Sequence, residues 1–353
     1  MTESAIAFAP GRVNLIGEHT DYNEGLALPF AIREGVTVRA RATGRAHVTV
    51  VARDLDAEDS FPLSAPERTR GWRGFARGIV TELQARDLKL VGAELEIRAT
   101  VPPGSGLSSS AALEVALCLA LLAVAGISEP DRIDLAALCS KVENDWVGAQ
   151  TGLLDQIASL RGEANHALRI DFRDRSVDPV PLELGDYVLV TLDSGERHAN
   201  AGRPGGRDAR EEPGYNQRRS ECARACKALG VASLREATLA QARQLPEPLD
   251  RRVKHVITEN ERVERTVSAL AAGDLERVGE LLDASHASLR DDYEISTPAV
   301  ERAVERLREA GAIGARIVGG GFGGNVLGLL PPRATPPDDV ISVIPSPGAR
   351  LIG

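Results

Sequence analysis

The sequence predicts an α+β fold in two domains. Three observations carry this: a length of 353 residues, strand-like alternation through the first hundred, and helical periodicity that dominates from Tyr215 onward. Val36, Val38, Ala40 and Ala42 alternate with Thr37, Arg39, Arg41 and Thr43, the period-two pattern of a strand with one buried face. Leu95, Ile97, Ala99 and Val101 repeat it. Pro102-Pro103-Gly104-Ser105-Gly106 then breaks the strand, and Leu107-Ser108-Ser109-Ser110 leads into an apolar run ending at Gly126. Serines at the start and glycine at the end bound a helix, and apolar residues nearly all round predict that it is central. A second helix follows Ser128-Glu129-Pro130-Asp131, with the stripe Leu135, Leu138, Cys139, Val142 and Trp146 and with Glu143 at its edge. Strands are expected at 166–172 and 187–193, and the polar, glycine-rich stretch 194–214 reads as a mobile loop near a domain junction. The stripe Val253, Val256, Ile257, Asn260, Val263, Val267, Leu270 marks a long helix. Short strands at 315–318 and 325–330 flank a glycine cluster, and 331–337 reads as a loose connection.

Composition narrows the function classes. Hydrophobic residues make up 43% and charged residues 26%, the ordinary globular range. A net charge of −9 argues against wrapping a nucleic-acid backbone and leaves any anionic substrate dependent on a local electropositive site. Cys118, Cys139, Cys222 and Cys226 form no CxxC pair; without a His pair nearby, Cys222 and Cys226 read as helix-packing residues. The opening MTESAIAFAP lacks the basic and apolar regions of a signal peptide, and the longest apolar stretch, 115–127, is too short to span a bilayer. The expected setting is the cytoplasm, with no membrane partner.

Three segments concentrate chemistry. Gly104-Ser105-Gly106-Leu107-Ser108-Ser109-Ser110 lies between a strand and a helix, where backbone N–H groups and the helix dipole converge as a phosphate cradle. It is no Walker A loop, since GK[ST] is absent, and a glycine turn here is equally ordinary without a ligand. Gly319-Gly320-Gly321-Phe322-Gly323-Gly324 matches GxGxxG but is followed by the β-prone run 325–330, so strand, tight loop, strand replaces a dinucleotide fold. So many glycines imply a backbone that passes very close to a ligand or another segment. The run Gly11 to Asn23 gathers Arg12, Glu18, His19 and Asp21 between apolar segments, and such a set suits the hydroxyls of a sugar.

With those residues in view, APGRVNLIGEHTDYNEG resembles the signature of the galactokinase family, within the wider group of GHMP kinases. PPGSGLSSSAALEVA is similar to that group's ATP loop and VGGGFGGN to its third motif; VENDWVGAQTGLLDQ, GYNQRRSEC, HVITENERV and SHASLRDDYEIS are also galactokinase-like. The resemblance implies an N-terminal domain like part of ribosomal protein S5 over 1–185 and a ferredoxin-like domain over 186–353. The active site would lie between them, where the two glycine clusters meet. It implies Glu18, His19, Asp21, Gly152 and Tyr215 for the sugar, and Gly104, Ser105, Gly106, Leu107, Ser108, Ser109 and Ser110 for the ATP phosphates. Trp72 would lie near adenine, and Ser110 and Glu143 would bind Mg²⁺. Asp155 would face the anomeric hydroxyl, with Arg12 near both Asp155 and the γ-phosphate. On local sequence alone, Asp155 reads as a helix N-cap, Glu143 as a solvated residue, Trp72 as core, and His255 and His286 as structural. The implied activity is phosphorylation of galactose at C1 by a monomer or weak homo-oligomer. Alternatives are a kinase of N-acetylgalactosamine, arabinose or galacturonate, or a non-catalytic galactose and ATP sensor.

Overall fold

The computed structural model describes residues 3–69, 71–101, 106–148, 151–196 and 214–352. Gly104 and Ser105 of the first glycine loop, and most of the 194–214 stretch, lie outside the described residues. The chain begins with β1 (Ser4–Asn14), β2 (Leu26–Ala27), β3 (Pro29–Ala42), β4 (His47–Ala52), β5 (Ala57–Pro62), α1 (Trp72–Gln84) and β6 (Ala93–Ala99). Next come α2 (Ser109–Ala125), α3 (Arg132–Val142), α4 (Leu154–Arg161), β7 (His166–Asp171), β8 (Ser176–Pro181) and β9 (Val188–Asp193). It continues through α5 (Tyr215–Leu229), α6 (Leu239–Ala242), α7 (Leu249–Ala271), α8 (Leu275–Asp291) and α9 (Pro298–Glu309). It closes with β10 (Gly314–Ile317), β11 (Asn325–Leu330), β12 (Val340–Ser342) and β13 (Arg350–Leu351).

A six-stranded sheet in the order β13-β1-β3-β6-β4-β5 forms the base of the first half, with only β4 and β6 parallel among its pairs. The alternation read in β3 and β6 is realised: Val38 pairs with Ile97 and Ala40 with Leu95, one apolar face inward. Helix α2 packs on β1 and β3 and is buried on nearly every side, as its all-round apolar sequence requires. Its C-terminus ends at Gly126 in the left-handed region, φ 68°. The first hundred residues are not all strand, however. Helix α1 carries Phe75, Ala76, Ile79, Val80 and Leu83 on its buried side. Its glycines permit close packing: a Cβ at Gly78 would stand 2.6 Å from Val142 Cγ1.

The second half carries a four-stranded sheet, β10-β11-β9-β12, against which α8 and α9 pack. The strands flanking the second glycine cluster pair antiparallel, Arg316 with Leu327 and Ile317 with Val326, so that cluster is a hairpin-like loop. The end of the chain returns to the first half: β13 pairs with β1, and Ala349 N–H donates to Ser159 O at 2.8 Å. One apolar cluster also draws on both halves, joining Val13, Leu15 and Phe30 to Leu189, Val263 and Leu327. Among the described residues no helix is long and apolar enough to cross a membrane, and the four cysteines are free.

Candidate active site

Arg12 lies near the end of β1, just past a register shift in its pairing with β3. Its Nε donates to Asp155 Oδ1 at 2.7 Å, its Nη2 stands 2.6 Å from the same oxygen, and its Nη1 donates to the Gly106 carbonyl at 2.7 Å. Asp155 sits in the first turn of α4, whose N-cap is Leu153, so it does not cap that helix as its local sequence suggested. Its carboxylate instead accepts from Arg12 through one oxygen and from the Ser108 hydroxyl through the other. Ser108 is where α2 begins, but its side chain caps nothing; its backbone is left-handed at φ 59° and its hydroxyl is committed to Asp155. Uncommon backbone conformations of this kind collect at functional positions.

Behind this trio lies a second carboxylate. Glu143 ends α3 where a single π-helical turn begins, and it is 5% exposed rather than solvated. Ser110 Oγ donates to its Oε1 at 2.7 Å, and Thr151 Oγ1 and Gln156 Nε2 donate to its Oε2 at 2.7 and 2.9 Å. Burial raises the Glu143 pKa, against the pull of the Ser110 hydroxyl. One carboxylate beside a hydroxyl is a hard oxygen set that suits Mg²⁺ completed by phosphate and water. Among the described residues there is no cluster of three or more His, Cys, Asp or Glu able to hold a metal by themselves.

The third group gathers around Glu18, His19 and Asp21. Glu18 Oε1 accepts from the Gly319 N–H at 2.8 Å and lies 3.3 Å from Arg316 Nη2, which ties the opening loop to the second glycine cluster. Burial raises the Glu18 pKa, and Arg316 and Arg12 restrain the rise. His19, φ 61°, stacks at 5.2 Å from Tyr215 and 4.7 Å from Tyr293. Asp21 fits only because position 152 is glycine: a Cβ there would be 1.8 Å from Asp21 Oδ2. Burial, then repulsion from Asp155, pushes the Asp21 carboxyl up to about 7. The two glycine clusters meet, since a Cβ on Gly319 would lie 3.6 Å from the Gly106 carbonyl.

The structure therefore brings Arg12, Asp155, Gly106 and Ser108 together, joins Ser110 to Glu143, and groups His19 with Tyr215 and Asp21 with Gly152. Leu107 lines the same turn, its carbonyl accepting from Arg12 N–H, and Ser109 opens α2. Trp72 opens α1, packs on the first core and lies under the Arg73 guanidinium at 5.0 Å. His255 is structural, bonding Ser288 Oγ and the Glu18 carbonyl, and His286 bonds Glu301. Sequence reading missed Gln156, Thr151, Tyr293 and Arg316. Arg316 had a signal, being the lone charge in an otherwise apolar strand; Tyr293 had none.

Family models match the chain in three places: a galactokinase galactose-binding signature over residues 2–42, a GHMP kinase N-terminal domain over 74–163 and a GHMP kinase C-terminal domain over 266–347. A galactokinase of Mycobacterium tuberculosis H37Rv is 44% identical over 92% of this chain and 88% of its own length. One from Roseiflexus sp. RS-1 is 41% identical over 92% of this chain and 83% of its own. A crystal structure of Lactococcus lactis galactokinase complexed with galactose superposes with a TM-score of 0.89 at 31% identity, over 99% of this chain and 95% of that one.

Proposed function

We propose, since the chain belongs to the galactokinase family of GHMP kinases, that it transfers the γ-phosphate of ATP to the C1 hydroxyl of galactose. The observation that carries this reading is the convergence of Arg12, Asp155 and Ser108 beside the Gly106 carbonyl, 143 residues separating the acid from its guanidinium. Phosphoryl transfer asks mainly for positioning and charge neutralisation. Asp155 orients the C1 hydroxyl and takes its proton as the new O–P bond forms and the bond to the β-phosphate oxygen breaks. Arg12 orients that carboxylate through its Nε and Nη2 and offsets charge on the transferring group.

Around the reacting atoms, Glu18, His19, Asp21, Gly152 and Tyr215 hold the sugar. Gly104 to Ser110 cradle the phosphates, with Trp72 beside the adenine. Ser110 and Glu143 would hold Mg²⁺, which supplies neutralisation of the nucleotide's phosphate charge. Purified protein given Mg²⁺ and ATP is expected to release ADP with D-galactose. Turnover faster with N-acetylgalactosamine, arabinose or galacturonate would move the assignment to that sugar, and ADP release with none of the four would overturn it.

A further inference from the structure

His19 ends a chain of buried polar groups that the transfer reaction does not use. Its Nδ1 lies 2.7 Å from the Tyr22 hydroxyl, which is 3.0 Å from the Tyr293 hydroxyl, which in turn is 3.0 Å from Cys222 Sγ. Tyr293 is 0% exposed, Cys222 2% and His19 4%, so water cannot substitute for a missing partner at those three, while Tyr22 between them is half-buried. Asn23 closes the far end: its Nδ2 donates to the His19 carbonyl at 2.8 Å and to Cys222 Sγ at 3.7 Å. A carbonyl only accepts, so the orientation of the Asn23 amide is fixed and the sulfur receives an N–H.

Each hydroxyl has one proton to give, so one end can decide the direction of the whole chain. At the sulfur end, the thiol accepts from Asn23 and has Tyr293 as the acceptor for its own proton. Running from there, Cys222 donates to Tyr293, Tyr293 to Tyr22, and Tyr22 to His19 Nδ1, which leaves the ring proton on Nε2. Running the other way, the S–H is stranded and Nε2 carries a lone pair. At the imidazole end, Nε2 is buried with no hydrogen-bond partner in the protein and selects neither direction. The sulfur end therefore sets it.

We propose that Cys222, Tyr293 and Tyr22 form a one-way hydrogen-bond relay that holds His19 as its Nε2–H tautomer, which makes Cys222 and Tyr293 positioning residues for the sugar contact of His19. That last step rests on the reading of His19 as a sugar ligand; the tautomer does not. The neighbouring carboxylates Glu18 and Asp155 offer hydrogen-bond acceptors to sugar hydroxyls, and an Nε2–H supplies the complementary donor to a hydroxyl lone pair.

The test is a ring nitrogen–proton correlation spectrum of sugar-free protein labelled with ¹⁵N-histidine, with His19 identified by its absence in His19→Gln. A pyrrole-like Nε2 and pyridine-like Nδ1 are expected. Tyr293→Phe and Cys222→Ala should each give mixed tautomers and raise the galactose KM by about 3–10-fold with kcat within about twofold, the scale of one lost neutral hydrogen bond. Cys222→Ser, which keeps a donor of similar size, should restore both. A pyrrole-like Nδ1 in the parent protein, or an unchanged His19 spectrum in both disrupting variants, would overturn the relay. Because the tautomer is read without sugar, its outcome is independent of whether His19 contacts galactose, which the KM of His19→Gln reports.

Discussion

Asp155 gives one oxygen to Arg12 and the other to Ser108, and the lone pair remaining on the Ser108-bound oxygen is what a sugar hydroxyl would meet. Asp155→Asn keeps the shape but removes the proton acceptor and turns an N–H₂ towards a donor. We expect kcat to fall by about 10²–10⁴, the usual contribution of a positioned base, while nucleotide affinity measured by calorimetry stays close to that of the parent. Near-parental turnover would remove Asp155 from proton transfer. Asp21 titrates elsewhere. Burial and Asp155 raise it to about 7 from 3.8, so between those values the folded chain binds a proton that the unfolded chain releases. Its contribution to stability is therefore complete below pH 4 and is lost as pH rises through 7. The Tm of Asp21→Asn minus that of the parent should therefore be larger at pH 8 than at pH 5, by about 2–4 °C. An equal difference at both pH values would count against a buried, proton-holding Asp21.

At the scale of elements, the start of α2 shows function overriding local preference. The serines preceding it read as caps, and Ser108 does occupy the cap position, but in a left-handed conformation with its hydroxyl turned to Asp155. A non-glycine residue there carries about 1–2 kcal/mol of strain, and no capping bond offsets it. Ser108→Gly should consequently raise stability by up to about 1 kcal/mol in urea unfolding while lowering kcat, because Asp155 loses a partner. A loss of stability would mean that the hydroxyl holds the helix end after all. The sequence made α2, the strands around the second glycine cluster and the one-sided alternation of β3 and β6 legible, because periodicity and punctuation agreed there. It hid α1, because what Gly74 and Gly78 admit is the segment at 142–147 that packs against them, which is remote in sequence.

The whole molecule is held across its two halves by buried polar groups rather than by apolar contact alone. Gly17 N–H donates to Glu259 Oε1 at 3.0 Å, and Leu26 N–H to Asn260 Oδ1 at 2.7 Å. Arg316, 0% exposed, donates from β10 to the Asn14 and Leu15 carbonyls at 2.8 and 3.0 Å and faces Glu18. Such links join residues 234 to 302 positions apart, so no window of sequence could reveal them, and the return of β13 to β1 was hidden for the same reason. What the sequence did carry was residue type: a lone arginine in an apolar strand must meet buried acceptors. Arg316→Met leaves two carbonyls without their donor and Glu18 without its cation, so we expect a loss of about 3–5 kcal/mol in urea unfolding. Adding Glu18→Gln removes the stranded charge and should recover part of that loss, although the sugar contact stays impaired. The two effects are thus coupled, and a double-mutant cycle measures the coupling directly. If the single substitution costs under about 1 kcal/mol, or the pair is simply additive, then the apolar cluster shared by both halves is what holds the site together and Arg316 is a passenger within it.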